Sequence, residues 1–378
     1  MRPRSTPTPK NSEVSIAAAS GKPRRRPLRS RVRDTALLRW LGLRSWAKEA
    51  LKQYGLGDAR FALVKEGINQ RKLLFRVESP SRGRFLLRVY KLSRPNENLM
   101  PELLWLQALG REMPVPEPIP AADGSLASLL SPRWALEPRR CVLLRWLPGG
   151  FKRDALTPAN LSVAGSQVAR LHRHCEQYGV PEGATFPYAW DWDWVFGEEV
   201  PLWNEGENVY SRSELDVFRA TAERVRQDLR ELGKGSDVYG IIHRDLHLKN
   251  FLFHDGEVYV LDFEKCGWGY YLFDLTVTLS VMESHKKNRA PMQAAFIEGY
   301  QRERPLPEEH WRYLETFMAM RVAQRVNMVL SWEAPTHRPW GPSALPGSVE
   351  GLKEFLTRKP KAGPMDLSPL WWRKALRK

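Results

Sequence analysis

The residues whose types and spacing could do chemistry stand together in the C-terminal half of the chain. His243, Asp245 and Asn250 follow one another in the order H-x-D-x-x-x-x-N, and Asp262 comes a short way further on. Two runs of β-forming residues lie between Asn250 and Asp262, separated by a turn that contains Gly256. A β-hairpin here would return the chain to its starting edge, so we expect Asn250 and Asp262 to lie side by side.

These residue types suit the transfer of a phosphoryl group. Mg²⁺ bound to the phosphates of a nucleotide prefers oxygen ligands and takes about one or two carboxylates from a protein, and Asp262 and Asn250 would be its ligands. An acceptor hydroxyl needs a nearby carboxylate that orients it and takes its proton, which is the role predicted for Asp245. His243 is expected to fix the loop. The stretch matches the kinase signature H-R-D-L-x-x-x-N in full.

The sequence resembles the aminoglycoside phosphotransferase and choline kinase family, the small-molecule kinases of the protein-kinase-like fold. Glu264 stands two residues after Asp262, where protein kinases have Gly. The short interval from Asp262 to Asp274 leaves no room for an activation loop, and the segment from Gly269 to Leu275 reads G-x-x-x-x-D-L, as in small-molecule kinases. Asp274 itself is predicted to be a buried structural carboxylate that accepts hydrogen bonds from the catalytic-loop backbone.

The resemblance implies an α+β, bilobal protein-kinase-like fold, with a small antiparallel β-sheet in the N-lobe and a mainly helical C-lobe. It divides the chain into four parts: a disordered basic tail (1–34), an N-terminal lobe (35–146), a C-terminal catalytic lobe (147–333) and a C-terminal tail rich in Pro, Trp and basic residues (334–378).

The resemblance also indicates which residues bind the nucleotide. Arg88, in the third strand-like segment, is expected to hold the α and β phosphates, with Lys91 as the fallback. Glu102, near the start of the next helix, is placed to pair with Arg88; the alternative is a surface carboxylate favoured by the first helical turn. The turn at 66–70, which covers the phosphates in related kinases, has one glycine and is a weak signal by itself. The nucleobase is expected at 145–147, with ATP and GTP both open.

The insert at 183–209 is the part of the sequence that bears most on the acceptor. It holds four tryptophans among six acidic residues and has no Lys or Arg. Aromatic faces mixed with carboxylates suit an amine-bearing acceptor through cation–π and charge contacts. An equally good interpretation is that the tryptophans pack as core while the acidic side chains are solvated.

The net charge of +16 belongs to the two ends of the chain. Residues 1–33 hold ten Lys or Arg against one Glu, and residues 351–378 hold eight against two acidic residues. Such basic tails could contact nucleic acid or an anionic surface through phosphate groups, although a solvated tail is the simpler interpretation. The charge therefore says little about the active site.

Other features of the composition concern the cellular setting. The sequence has no run of eighteen apolar residues to span a membrane and no apolar segment typical of a secretory signal. Three cysteines without C-x-x-C spacing suit a reducing cytoplasm. We therefore expect a cytoplasmic protein, and the sequence does not indicate its oligomeric state.

The predicted activity is transfer of the γ-phosphate of ATP or GTP, with Mg²⁺, to a hydroxyl group of a small molecule. Two alternatives stay open. One is a catalytically inactive kinase-like binding module, favoured by the single glycine of the phosphate loop and by Arg88 where lysine is usual. The other is a protein Ser/Thr kinase, disfavoured by the missing activation segment. Aminoglycosides, choline, homoserine and other hydroxyl compounds all remain candidate acceptors.

Overall fold

The computed structural model describes residues 28–66, 72–93, 98–133, 137–152, 155–282, 289–331, 345–359 and 371, without the side chains of 28–40 and 346. The N-terminal tail up to residue 27, most of the expected phosphate loop and most of the C-terminal tail lie outside these residues. The first helix begins at Leu28, ahead of the start expected at residue 35. Seven residues assigned to the disordered tail are thus helical.

The N-lobe is built on an antiparallel sheet, as the strand-like segments predicted. The elements of this lobe are α1 (Leu28–Gln53), β1 (Arg60–Glu66), β2 (Lys72–Ser79), β3 (Gly83–Lys91), α2 (Met100–Leu109), β4 (Pro118–Ile119), β5 (Ser128–Leu130) and β6 (Arg139–Arg145). The strands pair in the order β1-β2-β3-β6-β4, with β5 also paired to β6. Alternate residues of β2 and β3 are buried against the C-terminal end of α1, which gives the lobe an apolar core of its own.

The C-lobe is mainly helical and holds the largest apolar core. Its elements are α3 (Pro158–Gln177), β7 (Ala189–Trp190), α4 (Trp192–Phe196), α5 (Pro201–Asn204), α6 (Arg212–Leu232), β8 (Tyr239–Ile242), β9 (Phe251–His254), β10 (Glu257–Val260), β11 (Gly267–Tyr270), α7 (Tyr271–Met282), α8 (Arg289–Glu303), α9 (Glu308–Trp311), α10 (Leu314–Leu330) and α11 (Leu345–Thr357). The fold is therefore α+β and protein-kinase-like, as expected.

Helix α3 begins with a side-chain cap and a proline. The side chain of Thr157 caps the helix by accepting the N–H of Asn160 at 3.2 Å, and Pro158 occupies the first turn. The helix then packs against α8 at a close approach made possible by two glycines. A Cβ atom at Gly165 would lie 1.9 Å from the carbonyl oxygen of Phe296, and one at Gly299 equally close to that of Ser162. Any side chain there would force the helices apart.

Two short β-structures bring the catalytic segment together. Strands β9 and β10 form the predicted hairpin, with Glu257 paired to His254 next to the turn and Val260 to Phe251 at the far end. Strand β11 lies between β7 and β8, so that Gly267 is opposite Ile242. The chain before the catalytic loop and the chain after the hairpin thus meet. Among the described helices none is long and apolar enough to cross a membrane.

Candidate active site

Asp274 holds the backbone of the catalytic loop. Its carboxylate accepts the N–H of His243 at 2.8 Å and the N–H of Arg244 at 2.5 Å, and Arg244 has a φ of 69°, a region that non-glycine residues rarely adopt. The ring of His172 also contacts Asp274, at 3.2 Å, and the Tyr300 hydroxyl, at 2.9 Å. The fully buried Asp274 is therefore a structural carboxylate that fixes the loop, in the manner predicted.

His243 links this loop to the end of the hairpin. Its Nε2 atom lies 3.0 Å from the carbonyl oxygen of Leu261, and its Nδ1 atom accepts the N–H of Asp245 at 3.2 Å. The ring is fully buried and packs edge-on against Phe263. His243 thus sets the distance between the segment that carries Asp245 and the segment that carries Asp262.

The carboxylate of Asp245 is held between two basic groups. Its Oδ2 atom accepts a hydrogen bond from the ammonium group of Lys265 at 2.9 Å, and its Oδ1 atom lies 3.2 Å from Nε2 of His247. Burial alone would raise the pKa of Asp245, but the His247 hydrogen bond and the Lys265 charge outweigh it and hold the pKa far below its usual range. The side chain keeps 19% of its surface exposed. An ionised carboxylate therefore remains within reach of a bound molecule.

Asn250 and Asp262 meet at the open end of the hairpin. The N–H of Leu261 donates to the carbonyl oxygen of Asn250 at 2.8 Å, which places the chain leading to Asp262 beside Asn250. Asp262 has a φ of 66°. Burial would raise the pKa of its carboxyl, but the charges of Lys72 and Arg88 lower it. The structure thus brings together the two residues predicted as metal ligands.

The donor set suits a hard divalent cation. The Asn250 side chain donates through Nδ2 to the carbonyl oxygen of Asp245 at 2.7 Å, which leaves its Oδ1 oxygen for a cation. Within the described part of the chain, no three His, Cys, Asp or Glu side chains cluster in a way that could hold a metal. One carboxylate and one amide oxygen are typical of Mg²⁺, which completes its shell with phosphates and water.

Arg88 and Glu102 form a buried ion pair between β3 and α2. The Nη1 atom of Arg88 lies 2.7 Å from Oε1 of Glu102, and both side chains are almost entirely buried. Burial alone would lower the pKa of Arg88, but Tyr90, Glu102 and Glu264 raise it well above its usual value. The alternative of a surface Glu102 is wrong, because only 2% of the residue is exposed. Lys91 contacts Glu137 at 3.8 Å instead.

Lys72 is a site residue that the sequence did not single out. Its ammonium group lies 2.5 Å from Oε1 of Glu264 and 3.4 Å from Oδ1 of Asp262. The Tyr90 hydroxyl donates to the same Glu264 oxygen at 2.9 Å. Lys72 is directly opposite Tyr90 in the β2–β3 pairing. That cross-strand register, together with its position just after the phosphate loop, is the signal that could have found it.

The aromatic insert is packed rather than open. Trp190, Trp192 and Trp203 donate their indole N–H groups to backbone carbonyls, while Trp194 is 43% exposed. Asp191 pairs with Lys234 at 3.0 Å. The other acidic residues of the insert, Asp193, Glu198, Glu199, Glu205 and Glu207, are exposed. The core-packing interpretation therefore describes most of the insert.

A two-lobed fold with an ionised loop carboxylate, an Asn/Asp pair at a hairpin end and a buried Arg–Glu pair defines a protein-kinase-like phosphotransferase. Residues 61–313 match the phosphotransferase enzyme family, and the chain belongs to that family. It is accordingly a phosphotransferase with a hydroxyl group as acceptor.

Three similar proteins show the range of this likeness. An uncharacterized protein of Deinococcus radiodurans is 31% identical over 71% of this chain and 76% of its own. Homoserine kinase of Neisseria meningitidis is 25% identical over 75% of this chain and 85% of its own. The solved structure of the microcompartment-associated aminopropanol kinase is 26% identical, with a TM-score of 0.68 over 82% of this chain and 97% of that one.

Proposed function

We propose that this protein transfers the γ-phosphoryl group of ATP to a hydroxyl group of a small molecule, with Asp245 as the residue that orients the hydroxyl and takes its proton. The observation that carries the proposal is the position of the ionised, partly exposed Asp245 carboxylate on the loop whose Asn250 meets the chain leading to Asp262. A binding module has no physical need for an ionised base beside a divalent-cation site.

The nucleotide would lie between the lobes. Asn250 and Asp262 would hold Mg²⁺, which neutralises charge on the β and γ phosphates when bound. Arg88, steadied by Glu102, would bind the α and β phosphates. Lys72 adds a second cation facing Asp262 and Glu264. These groups neutralise the charge on the nucleotide, and the protein has little covalent chemistry to do.

Asp245 can accept the acceptor hydroxyl while keeping its present partners. Each oxygen of a carboxylate has two lone pairs, and the contacts from Lys265 and His247 use one on each oxygen. Lys265 and His247 would therefore fix the direction of the carboxylate, and the hydroxyl would donate to a remaining lone pair. Positioning of this kind lowers the barrier because the reacting oxygen is already oriented toward the phosphate.

The aromatic insert bears on which acceptors the site could bind. An amine-bearing acceptor would use the exposed face of Trp194 by a cation–π contact. The exposed acids of the insert and the Asp191–Lys234 pair give that prediction weaker support than the sequence suggested. None of the three buried cysteines forms a disulfide, which suits the expected reducing cytoplasm.

The test is the thermal stability of the protein with ATP or GTP, with and without Mg²⁺. A ligand at about 100 times its Kd adds about 2.7 kcal/mol to the free energy of unfolding, so we expect a Mg²⁺-dependent rise in melting temperature. Asp262→Asn should lose the Mg²⁺-dependent part of that rise. Absence of a rise with either nucleotide would point to the inactive binding module instead.

A further inference from the structure

Arg321 is a buried arginine on α10 that lacks a carboxylate partner. Only 6% of the residue is exposed, and among the described residues no Asp or Glu lies within ion-pair distance of its guanidinium group. One N–H group donates to the side chain of Gln324, and Nη2 lies 3.5 Å from Nε2 of His247. Its Nε atom is buried without a hydrogen-bond partner. Buried charges in proteins are normally paired.

The contact with His247 does not satisfy Arg321 either. The same Nε2 atom of His247 lies 3.2 Å from Oδ1 of Asp245. One ring nitrogen can donate a proton to Asp245 or accept one from Arg321, but it cannot do both. With His247 donating to Asp245, the Nη2 group of Arg321 is left without an acceptor. The side chain of His247 thus separates Arg321 from Asp245, and the Nε and Nη2 groups of Arg321 remain available to donate hydrogen bonds.

Other cations lie close by. Burial, together with the charges of Arg244 and Arg325, lowers the pKa of Arg321 to about 9, although the charge of Asp245 opposes this shift. Arg244 stacks on the ring of Trp190, with its guanidinium carbon 3.9 Å from the ring centroid, and its own Nε atom has no partner. The charges of Asp245 and Asp274 both act on Arg244, whereas Asp245 is the carboxylate whose charge acts on Arg321. Arg321 therefore lies among other cations without an ion pair of its own in the described part of the chain.

The aromatic insert does not supply the missing negative charge. Helix α10 is joined to the insert through Asn327, which donates to the carbonyl oxygen of Val195 at 2.8 Å and accepts the N–H of Leu202 at 2.9 Å. The acids of the insert are nevertheless exposed or, for Asp191, paired with Lys234. The insert therefore lies next to α10 without supplying a carboxylate to Arg321.

We propose that the acceptor carries an anionic group, a carboxylate or phosphate, that binds Arg321 while its hydroxyl group reaches Asp245. This inference rests on the proposed function and names its class of substrate. A guanidinium group can donate two parallel hydrogen bonds to two oxygens of a carboxylate or phosphate. Arg244 and Arg325 contribute positive charge to the same site. An amine elsewhere on the acceptor is compatible with this binding.

The unliganded stability of Arg321→Met separates a ligand-binding arginine from a structural one. Replacement of an unpaired buried cation by an apolar side chain of similar length removes a desolvation cost. We therefore expect the melting temperature of the variant to equal or exceed that of the wild type. A fall of roughly 5 °C or more would show that Arg321 supports the fold and would contradict the inference.

The binding test uses inorganic phosphate and L-homoserine as probes, with AMP-PNP and Mg²⁺ saturating the nucleotide site. Both probes should raise the melting temperature of the wild type, through the charge of phosphate and through the carboxylate of zwitterionic homoserine. Arg321→Met should lose that rise, and Arg321→Lys should keep part of it. The compound 3-amino-1-propanol, which is homoserine without its carboxylate, should affect wild type and Arg321→Met equally. If neither probe shifts the wild type, or both shift Arg321→Met as much, the inference is wrong.

Turnover of L-homoserine and 3-amino-1-propanol completes the test. The wild type should favour the carboxylate-bearing member by roughly a hundredfold in kcat/KM, and Arg321→Met should lower that preference at least tenfold. Arg219→Met, which removes an exposed arginine on α6, should leave it unchanged. Equal use of both members by the wild type would contradict the inference alone. Loss of the Mg²⁺-dependent nucleotide shift would instead contradict the proposed function.

Discussion

The ammonium group of Lys265 lies 2.9 Å from Oδ2 of Asp245, although the two residues belong to separate segments of the catalytic lobe. Asp245 follows β8 and Lys265 precedes β11. The antiparallel pairing of Gly267 with Ile242 brings those segments together. The sheet therefore places a cation against the carboxylate proposed to take the acceptor proton.

Lys265→Met is expected to move the acid limb of the pH–rate profile to higher pH. Removal of the cation leaves burial to raise the pKa of Asp245, which is held low by His247 and Lys265 in the wild type. The wild-type rate should be independent of Asp245 protonation above about pH 4. Measurement of kcat/KM from pH 4 to 8 tests this, and coincident acid limbs for the two proteins would exclude an electrostatic role for Lys265.

Glu102→Gln is expected to lower the free energy of unfolding by about 3 kcal/mol. The substitution leaves the buried Arg88 cation without its 2.7 Å partner, and Glu264, at 4.0 Å, compensates only in part. Denaturant unfolding measures the loss. The matched control is Glu49→Gln, because Glu49 pairs with Lys52 at an exposed site and should contribute less than about 1 kcal/mol. Equal effects of both substitutions would show that the buried Arg88–Glu102 pair contributes no more to the free energy of unfolding than an exposed ion pair.

The stability of the protein should fall as the pH drops below about 6.5. Burial lowers the pKa of His172, despite the opposing hydrogen bond to Asp274. The unfolded chain therefore binds more protons at His172 than the folded one in this range. The contribution of His172 to the free energy of unfolding is present above the pKa that the residue has in the unfolded chain, and it is lost below that pKa. His172→Gln should flatten the slope of melting temperature between pH 7 and 5. Burial also lowers the pKa of His247, so part of the dependence of melting temperature on pH should remain in this variant.

Gly299→Ala is expected to destabilise the protein by about 3 kcal/mol. The new Cβ atom would lie 1.9 Å from the carbonyl oxygen of Ser162, so α3 and α8 would have to separate. Gly179→Ala is the control, since no heavy atom lies within 4 Å of its Cβ position. Thermal unfolding of both variants measures the difference. Similar melting temperatures would mean that the helices can move apart at little cost.

Sequence patterns predicted the parts of the site that depend on local structure. The hairpin follows from β-forming runs around a glycine turn, and it places Asn250 beside the chain leading to Asp262. The Arg88–Glu102 contact was found through family resemblance, which supplied the packing of α2 on β3 that spacing alone does not give. The roles of these residues in catalysis remain predictions for the experiments above.

The remaining site residues depend on contacts between distant segments. The position of Lys265 in the site depends on the register between β8 and β11, and that of Lys72 depends on the register between β2 and β3. Arg321 lies on α10, outside the motifs that indicate the site, so those motifs do not point to it. A signal was nevertheless present: position 321 falls seven residues after Leu314 and three after Met318, on the face that becomes buried. An arginine on an apolar face indicates a buried charge that needs a partner.

The most direct test of the proposed function is acceptor-dependent release of ADP from ATP by the wild type and by Asp245→Asn, across a panel of small hydroxyl compounds. The variant should still show the Mg²⁺-dependent shift with nucleotide, because Asn250 and Asp262 are unchanged. Its kcat should be lower by roughly 10²–10⁴-fold, since the hydroxyl has lost its base. Turnover by Asp245→Asn at the wild-type rate would contradict the mechanism.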